Sequence, residues 1–420
     1  MATLLASANA PAKVSPELAV DLRYVARQPI LDLHGRLHGY ELLFRNGPGV
    51  AFHGDGNLAT RTMLDNSVVF GLGALSGGVT AFINCTLESL TEALVDVLPP
   101  SMTVLEILET LEPTPELVRA CRRLKAAGFR IALDDFVWKP GIEPLLQLAD
   151  YVKVDFIQTG PSARKKLLRQ LSDYAVALIA EKVETRAEYE QARAEGFTLI
   201  QGYYFCRPVL LKNRSVPRNR LSQVEILRML HDEAIDLHKL SKLVKRDTSL
   251  TYRLLRLINS PLCAVRQEVC SVQGALIAVG ETVFRRIATL AITSELNGDQ
   301  PEEVLRMAFV RARFCELAAR FCALNSAEQY LLGMLSLLPA MLRLPMEELT
   351  PTLPLRNEIR MALEGAKVPE GVLLAWLSSH EHADWDACGS IACAGRLDED
   401  KLVSCYAEAV VWAESALHFF

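Results

Sequence analysis

The chain has 420 residues, of which half are apolar and 23% are charged, values that are ordinary for a soluble globular protein. This length is too great for one compact domain and predicts two or three. The formal net charge of −5 gives no global argument for nucleic-acid binding. Residues 1–15 lack the basic region of a secretory signal, and the longest apolar stretch, 330–342, is too short to span a bilayer. We therefore expect a cytoplasmic protein without a membrane anchor.

The sequence pattern changes near residue 212. Before it, short β-rich runs alternate with helical segments, as in the βα units of a parallel sheet or barrel. After it, nearly every segment has a helical period. The polar and basic run 212–220 contains Pro217 and is typical of a linker. The pattern predicts a loose tail over 1–20, a barrel over 21–211, this linker, and a helical region over 221–420.

Seven predicted strands of the first half carry a polar, mostly acidic residue at their C-terminal ends. In a (β/α) barrel those ends meet at one mouth, where the active sites of this fold lie. One acidic strand end is usually only a helix cap, but seven on one rim predict a site. The residues are Glu41, Asn84, Glu106, Asp134 with Asp135, Lys153, Glu181 and Gln201.

The predicted rim offers oxygen ligands and neither histidine nor thiolate. Glu41, Asn84, Glu106 and Asp134 form a set of hard ligands that favours Mg²⁺ or Mn²⁺ over zinc. Asp135 could hold a second ion, which would give the paired-metal arrangement that activates water against a phosphodiester.

Three further side chains suit a phosphorylated substrate. Lys153 would supply a positive charge for a phosphate or a metal-bound hydroxide, and Glu181 would serve as a metal ligand or general base. Arg45, four residues after Glu41, could clamp a phosphate oxygen. The residues alone predict a metal-dependent phosphate-ester site and nothing more specific.

Eight short motifs of the first half resemble, in order, those of the EAL phosphodiesterases, over residues 24–208. In the segment similar to E-A-L-x-R, Leu42 replaces the alanine. The motifs are Gln28-Pro29-Ile30, Glu41-Leu42-Leu43-Phe44-Arg45, Phe82-Ile83-Asn84, Glu106-Ile107-Leu108-Glu109, Asp134-Asp135-Phe136, Lys153-Val154-Asp155, Glu181-Lys182-Val183-Glu184 and Gln201-Gly202-Tyr203.

The resemblance implies a TIM-like (β/α) barrel that linearises cyclic di-GMP with two divalent ions. It implies that the metal ligands are Glu41, Asn84, Glu106, Asp134 and Asp135. Lys153 and Glu181 would serve the attacking water, and Gln28, Arg45 and Gln201 would contact the nucleotide. Glu109 and Glu184 would support the loop that orders the second ion.

The loop after Asp135 departs from the family pattern. Enzymes of the family usually continue D-D-F-G with T-G-Y-S-S-L, whereas this chain continues with Val137 and a segment that contains Pro140 and Pro144. In addition, Leu108 and Lys182 replace a threonine and a glycine of the family motifs. Because the ligands are kept while the loop that organises them is not, we expect binding of metal or nucleotide rather than efficient turnover.

The second half resembles HDOD domains over about residues 215–345. The run from Asp247 to Ser260 is similar to the D-P-x-L-x-x-x-L-L-x-x-x-N-S signature, with Thr248 in place of the proline. The segment 271–280 is similar to the S-[IV]-x-x-A-I-x-x-L-G stretch that follows it. A helical extension completes the chain, and its segment 406–412 resembles the C-termini of the fused family. The expected architecture is an EAL-type barrel followed by an all-helical HDOD domain.

Two other features of the helical half have competing interpretations. The dipeptide His231-Asp232 resembles part of an HD phosphohydrolase site, but the several histidines and aspartates that such a metal site needs are missing nearby. A basic stretch from Lys239 to Arg256 could contact nucleic acid, but no aromatic stacking partners are interleaved with it. A solvated helix face or a surface for a protein partner is the preferred interpretation.

Two hypotheses for the function remain open. In the first, a divergent barrel binds cyclic di-GMP, a metal or a partner, and the HDOD half transmits the signal through a protein partner. In the second, the barrel is a working Mg²⁺- or Mn²⁺-dependent cyclic di-GMP phosphodiesterase that the HDOD half regulates. The retained ligands favour the enzyme, whereas the altered loop favours the first hypothesis. The sequence leaves open whether the barrels form a homodimer.

Overall fold

The N-terminal half forms a closed barrel of eight strands. The computed structural model describes residues 25–44, 72–206, 223, 226–227, 229–230, 244, 248–259, 263, 265, 268–298, 300–352 and 355–417. The strands are β1 (Val25–Asp32), β2 (Leu37–Phe44), β3 (Thr80–Cys85), β4 (Thr103–Ile107), β5 (Arg130–Leu133), β6 (Tyr151–Asp155), β7 (Ala177–Glu181) and β8 (Leu199–Gln201).

The first strand distinguishes this barrel from one with eight parallel strands. Strands β2 to β8 pair in parallel, whereas β1 is antiparallel to both β2 and β8. A tight turn joins β1 to β2, in which the carboxylate of Asp32 accepts hydrogen bonds from the backbone N–H groups of His34 and Arg36. Gln28 of β1 lies opposite Glu41 of β2, so the hairpin carries two of the predicted site residues side by side.

Side-chain caps and helix-ending glycines mark the limits of two helices of the barrel half. Thr114 caps the helix that begins at Pro115, and Thr185 forms a capping box with Glu188. Gly128 and Gly196 follow these two helices with positive φ angles of 95°, as helix-ending glycines do. The helices are α1 (Leu72–Ser76), α2 (Leu87–Thr91), α3 (Pro115–Ala126), α4 (Glu143–Leu146), α5 (Pro161–Leu171) and α6 (Arg186–Glu195).

A closed apolar layer fills the barrel beneath the predicted rim. Side chains alternate between the two faces of a strand, so residues two positions from an inward-facing site residue also face inward, before it on the parallel strands and after it on the antiparallel β1. The apolar residues at these positions pack into a separate buried cluster, and they act as the floor of the site. The cluster consists of Ile30, Phe82, Val104, Ala132, Tyr151, Ile179 and Leu199.

The C-terminal half is helical, as the sequence predicts. Ser271 caps α8 through a hydrogen bond from Gly274 N–H, and a kink at Gly280 (φ 77°) interrupts this helix. Among the described residues, no helix is both long and apolar enough to cross a membrane. The helices are α7 (Thr248–Ile258), α8 (Val272–Asn297), α9 (Glu302–Ala319), α10 (Ser326–Leu335), α11 (Leu338–Leu342), α12 (Met346–Leu349), α13 (Asn357–Leu363), α14 (Val372–Glu381), α15 (Trp385–Gly395) and α16 (Glu399–Leu417).

The helical half packs on the outer face of the β1–β2 hairpin. Arg27 lies 4.5 Å from the ring centre of Tyr40 and donates a 3.1 Å hydrogen bond to Glu414 of α16. The Tyr40 hydroxyl contacts both carboxylate oxygens of Glu303 in α9 at 2.8 Å. Arg306 completes the cluster by pairing with Glu303 and Glu414. These buried charges are neutralised by one another across the interface.

A second contact joins the end of the barrel to helix α14. The hydroxyl of Tyr203 donates a 2.5 Å hydrogen bond to the backbone oxygen of Glu381. The Glu381 carboxylate in turn receives two hydrogen bonds from Arg311, at 2.6 and 3.1 Å. Both contacts therefore involve barrel residues that lie within two positions of a predicted site residue, since Tyr40 precedes Glu41 and Tyr203 follows Gln201.

Candidate functional site

The barrel brings the seven predicted strand-end positions together at one mouth, but four of them do not end their strands, since β3 and β4 continue for one residue beyond Asn84 and Glu106. Strand β2 continues for three residues beyond Glu41 to Phe44, and β6 continues for two residues beyond Lys153 to Asp155. In each strand the polar residue interrupts the apolar pattern before the backbone pairing ends. The sequence pattern therefore places the predicted end of the strand too early. The side chains nevertheless reach the predicted site, because what matters is that they face inward.

Lys153 forms the centre of the site. Its side chain is fully buried, and Nζ lies 2.8–3.0 Å from one oxygen of each of four carboxylates. The four come from four different elements of the barrel, so the ammonium group holds the mouth together. They are Glu41, Glu106, Asp134 and Glu181.

Amide side chains fix the orientation of Glu41. Asn84 donates a 2.9 Å hydrogen bond to Oε1, and Gln201 donates one of 2.6 Å to Oε2. Gln201 also contacts Oε1 of Gln28 at 3.2 Å. Because both carboxylate oxygens of Glu41 are occupied in this way, β1, β2, β3 and β8 are tied together at the site.

The charges of the cluster do not balance, and the pKa values show the effect. Burial and the charge of Glu41 raise the pKa of Glu106 well above its usual range. Burial, with repulsion from Asp134 and Glu41, raises the pKa of Glu181 to about 8 despite the nearby Lys153. Burial also raises the pKa of Asp134. Four carboxyl groups thus face one ammonium group, and their mutual repulsion contributes to these raised pKa values.

The pKa values of Glu41 and Lys153 are shifted in the directions that favour their charged forms. Burial opposes ionisation of Glu41, but Lys153 and the hydrogen bond from Gln201 outweigh it and lower the pKa. Burial would likewise lower the pKa of Lys153, but the surrounding carboxylates, led by Asp134 and Glu106, raise it well above its usual value. An ionised pair at Glu41 and Lys153 is the fixed element around which the other carboxyl groups are arranged.

Lys182 is a second cation beside the cluster, and the sequence analysis gave it no site role. It follows β7 directly with a φ of 56°. Its ammonium group contacts the Asp155 carboxylate and lies 3.8 Å from Oδ2 of Asp135. The sequence pattern predicted no site role for Asp155 either. Its other oxygen accepts hydrogen bonds from the backbone N–H groups of Ile157 and Gln158, so protein donors contact both of its oxygens.

The segment after Asp135 is anchored differently from the prediction. Asp135 has a φ of 38°. Lys139 donates a 2.5 Å hydrogen bond to the backbone carbonyl of Glu109, so this contact uses the main chain of Glu109 rather than the carboxylate. Trp138 packs edge-on against Phe136 and Tyr174. Lys139 and Trp138 thus hold the altered loop in place of the missing glycine-rich segment.

A close backbone contact positions Gln201. Gly202 has a φ of 138°, and a Cβ there would lie 2.2 Å from the backbone oxygen of Val183. The absence of a side chain lets Val183 N–H reach the carbonyl of Gln201 at 3.1 Å. This contact requires the glycine of the Q-G-Y motif. In the same segment, the backbone N–H of Glu184 donates to the carboxylate of Glu188, which joins it to the start of α6.

Several sequence predictions fall outside the described residues. They include Arg45, the predicted phosphate clamp, and the linker 212–220. His231-Asp232 and most of the basic stretch lie there too, whereas Arg253 and Arg256 lie on α7.

The donor set is chemically suited to a hard divalent cation. Glu106 Oε2, Glu181 Oε2 and Asn84 Oδ1 are buried and accept no hydrogen bond from any described residue, and such acceptors are costly unless something binds them. Oxygen atoms of this kind are the ligands that Mg²⁺ and Ca²⁺ take. Within the described ranges no group of three acidic, His or Cys side chains is arranged around a shared metal position, and the Lys153 ammonium lies among the carboxylates.

Comparison with known proteins identifies both halves. The EAL domain model matches residues 84–208, and the HDOD domain model matches residues 217–351. The uncharacterized protein YuxH of Bacillus subtilis is 31% identical over 405 residues, which are 94% of this chain and 98% of YuxH. The chain belongs to the EAL–HDOD family. The EAL match begins at Asn84 and so does not include β1 and β2.

A second full-length relative has a named activity. The cyclic di-GMP phosphodiesterase CdgJ of Vibrio cholerae is 35% identical over 369 residues, which are 86% of this chain and 85% of CdgJ. A solved structure, the calcium and cyclic di-GMP complex of Klebsiella pneumoniae BlrP1, aligns with 44% of this chain over 55% of the BlrP1 chain. That alignment has 24% identity and a TM-score of 0.37. The predicted order of an EAL barrel followed by an HDOD half is confirmed by the two domain matches.

Proposed function

We propose that the EAL barrel binds cyclic di-GMP together with a divalent cation, Mg²⁺ or Mn²⁺, and that the HDOD half receives a protein partner in the cytoplasm. The observation that carries the proposal is the buried acidic cluster around Lys153. Its four carboxyl groups and its unpaired acceptor oxygens suit a divalent cation, which in turn attracts a phosphodiester. The EAL domain match and the name of CdgJ support cyclic di-GMP as the phosphodiester.

Each predicted site residue has a role in this proposal. Glu41, Asn84, Glu106 and Asp134 would hold the cation, which supplies charge stabilisation to a phosphate oxygen and lowers the pKa of bound water. Gln28 and Gln201 line the mouth beside Glu41 and would orient the nucleotide, with Arg45 as a phosphate contact. The family resemblance also implies Asp135 as a ligand of a second ion. Glu109 and Glu184 would support the adjoining loops.

A slow phosphodiesterase activity is the second candidate function. Glu181 has a pKa of about 8, and a carboxyl group that titrates near the working pH is suited to general acid–base catalysis. Its oxygen lies 2.9 Å from Lys153 Nζ, so the two groups could act on one water molecule. The name of CdgJ favours this candidate, whereas the altered loop after Asp135 favours binding with little turnover.

The domain limits follow from the same reasoning. We assign residues 21–211 to the EAL barrel and residues 221–420 to the HDOD half with its helical extension, joined by the linker 212–220. The HDOD half is proposed as the protein-binding part, and a homodimer is a further form to be tested by light scattering. Neither a membrane nor a nucleic acid is expected as a partner.

The proposal is tested by equilibrium dialysis of the full chain against labelled cyclic di-GMP in Mg²⁺ or Mn²⁺, with chromatography to detect the linear dinucleotide. Glu106→Gln replaces one buried carboxyl ligand with little change of shape and should abolish cation-dependent binding. Glu112→Gln alters a carboxylate whose side chain is 73% exposed and should leave binding unchanged. Retained nucleotide without product supports a receptor, and product that disappears in Glu106→Gln supports the enzyme. No binding and no product would refute both.

A further inference from the structure

Lys182 lies where the sequence suggests a second divalent cation. Asp135 is the predicted ligand for that ion, and the Lys182 ammonium is 3.8 Å from its Oδ2 while also paired with Asp155. The side chain of Lys182 is 47% exposed, so the ammonium reaches this position from the solvent side. It is a separate charge from Lys153, which is fully buried among the other carboxylates.

The neighbours of Lys182 leave few ligands for a metal ion. Both oxygens of Asp155 are engaged, one by Lys182 and the other by two backbone N–H groups. Asp135 keeps one buried oxygen, Oδ1, that accepts no hydrogen bond from the described residues. A hard divalent cation needs about six oxygen ligands, whereas an ammonium group needs only acceptors in contact.

The backbone at Lys182 indicates that the ion pair compensates for an unfavourable conformation. A φ of 56° is unfavourable for a residue with a side chain, and glycine tolerates it best. The corresponding residue of the E-G-V-E motif, which the segment resembles, is glycine. Replacing that glycine with lysine therefore adds a positive charge to the site at a position where the backbone resists a side chain.

We propose that Lys182 supplies the positive charge at the Asp135–Asp155 pair and thereby limits the barrel to one divalent cation, held by the cluster of Glu41, Asn84, Glu106 and Asp134. This inference rests on the proposed binding of a cation at that cluster. Like charges repel at short range inside a partly buried site, so a metal ion at Asp135 would have to displace the ammonium group. The chain thus replaces a second metal ion with a permanent cation of its own.

The number of bound ions tests the inference without any assay of activity. The full chain is dialysed against Mn²⁺, and the bound metal is counted by elemental analysis and by the loss of the free-ion electron paramagnetic resonance signal. The parent should bind one ion, and Lys182→Gly should bind two. Lys182→Met keeps the length of the side chain without the charge, and it should also gain the second ion. Lys166→Met, at an exposed lysine of α5, is the control and should bind one.

The number of bound ions distinguishes failure of this inference from failure of the proposed cation site. Two ions in the parent, or one ion in both Lys182 variants, would overturn the inference and leave the proposed cation site intact. No ion in the parent would overturn the proposed site and this inference with it. One ion in the parent that is lost in Glu106→Gln, with two ions in Lys182→Gly and Lys182→Met, would support both.

Discussion

Replacing Lys153 with methionine should destabilise the barrel strongly when no divalent cation is present. The Lys153 ammonium is fully buried, and it lies 2.8–3.0 Å from Glu41, Glu106, Asp134 and Glu181. Methionine preserves the length and the apolar stem, but it leaves four buried carboxyl groups without their counter-ion. Removing one partner from a buried ion pair costs about 3–5 kcal/mol, and we expect a loss of this size in the free energy of unfolding.

The expected loss corresponds to a large change in melting temperature. For a domain of the size of the barrel, each kcal/mol lowers the midpoint by about 2–4 °C, so the variant should melt roughly 6–20 °C below the parent. Circular dichroism melts in EDTA measure this shift. Lys125→Met is the matched control, because its ion pair with Asp150 is part-exposed, at 35% and 29% of the side chains. Loss of such a pair costs about 1 kcal/mol or less.

A divalent cation should recover at least half of the lost stability, because Mn²⁺ or Mg²⁺ would neutralise the carboxylates that Lys153 no longer contacts. A ligand that binds only the folded state stabilises it by mass action, by about 2.7 kcal/mol at a hundred times its dissociation constant. If the variant in EDTA melts within about 2 °C of the parent, a difference of less than about 1 kcal/mol, then Lys153 does not neutralise the cluster and the reasoning is refuted.

Three further experiments test other parts of the structure. Gly202→Ala should cost at least about 2 kcal/mol of stability, because φ is positive there and a backbone oxygen lies 2.2 Å from the position of the new Cβ. Gly389→Ala is the control, since its new Cβ would meet nothing within 4 Å, and it should be neutral or stabilising. Equal melting temperatures of the two variants would contradict the expectation. Asn259→Ala removes two hydrogen bonds to the backbone segment before α8 and should cost about 1–3 kcal/mol in urea unfolding, and an unchanged midpoint would count against it. A double-mutant cycle of Tyr40→Phe and Glu303→Gln should give a coupling of about 1–3 kcal/mol, whereas additive effects would mean that the interface contact does not form.

The barrel and most of its mouth could be predicted because they depend on local, repeated signals. Some βα units have their own capping residues, as at Thr114 and Thr185, and inward-facing site residues interrupt apolar runs. The predicted strand ends at Glu41 and Lys153 were wrong, because an inward-facing polar residue in the middle of a strand has the same sequence pattern as a strand end. Backbone pairing, which the pattern does not reveal, continues beyond both.

The role of Lys182 and the interface with the helical half could not be predicted. Lys182 replaces the glycine of the E-G-V-E motif, which hints at a left-handed backbone, but the contacts of its side chain with Asp135 and Asp155 have no sequence signal. The contact between Tyr40 and Glu303 joins residues 263 positions apart. Arg27 likewise reaches Glu414 only because the helices of the second half pack on the hairpin. Such contacts are set by how the two halves meet and leave no periodic signal in either.

The β1–β2 hairpin links the candidate site to the HDOD half through the alternation of its side chains. Gln28 and Glu41 face the site, whereas their chain neighbours Arg27 and Tyr40 face helices α9 and α16. Because successive residues of a strand share one rigid backbone, a displacement of Glu41 also displaces the Tyr40 hydroxyl from Glu303. Two sites of a protein are coupled only where a ligand binds more tightly to one of two conformations of that protein. A ligand that moves Glu41 must therefore either preserve this buried contact or break it, and only in the second case does the HDOD half respond.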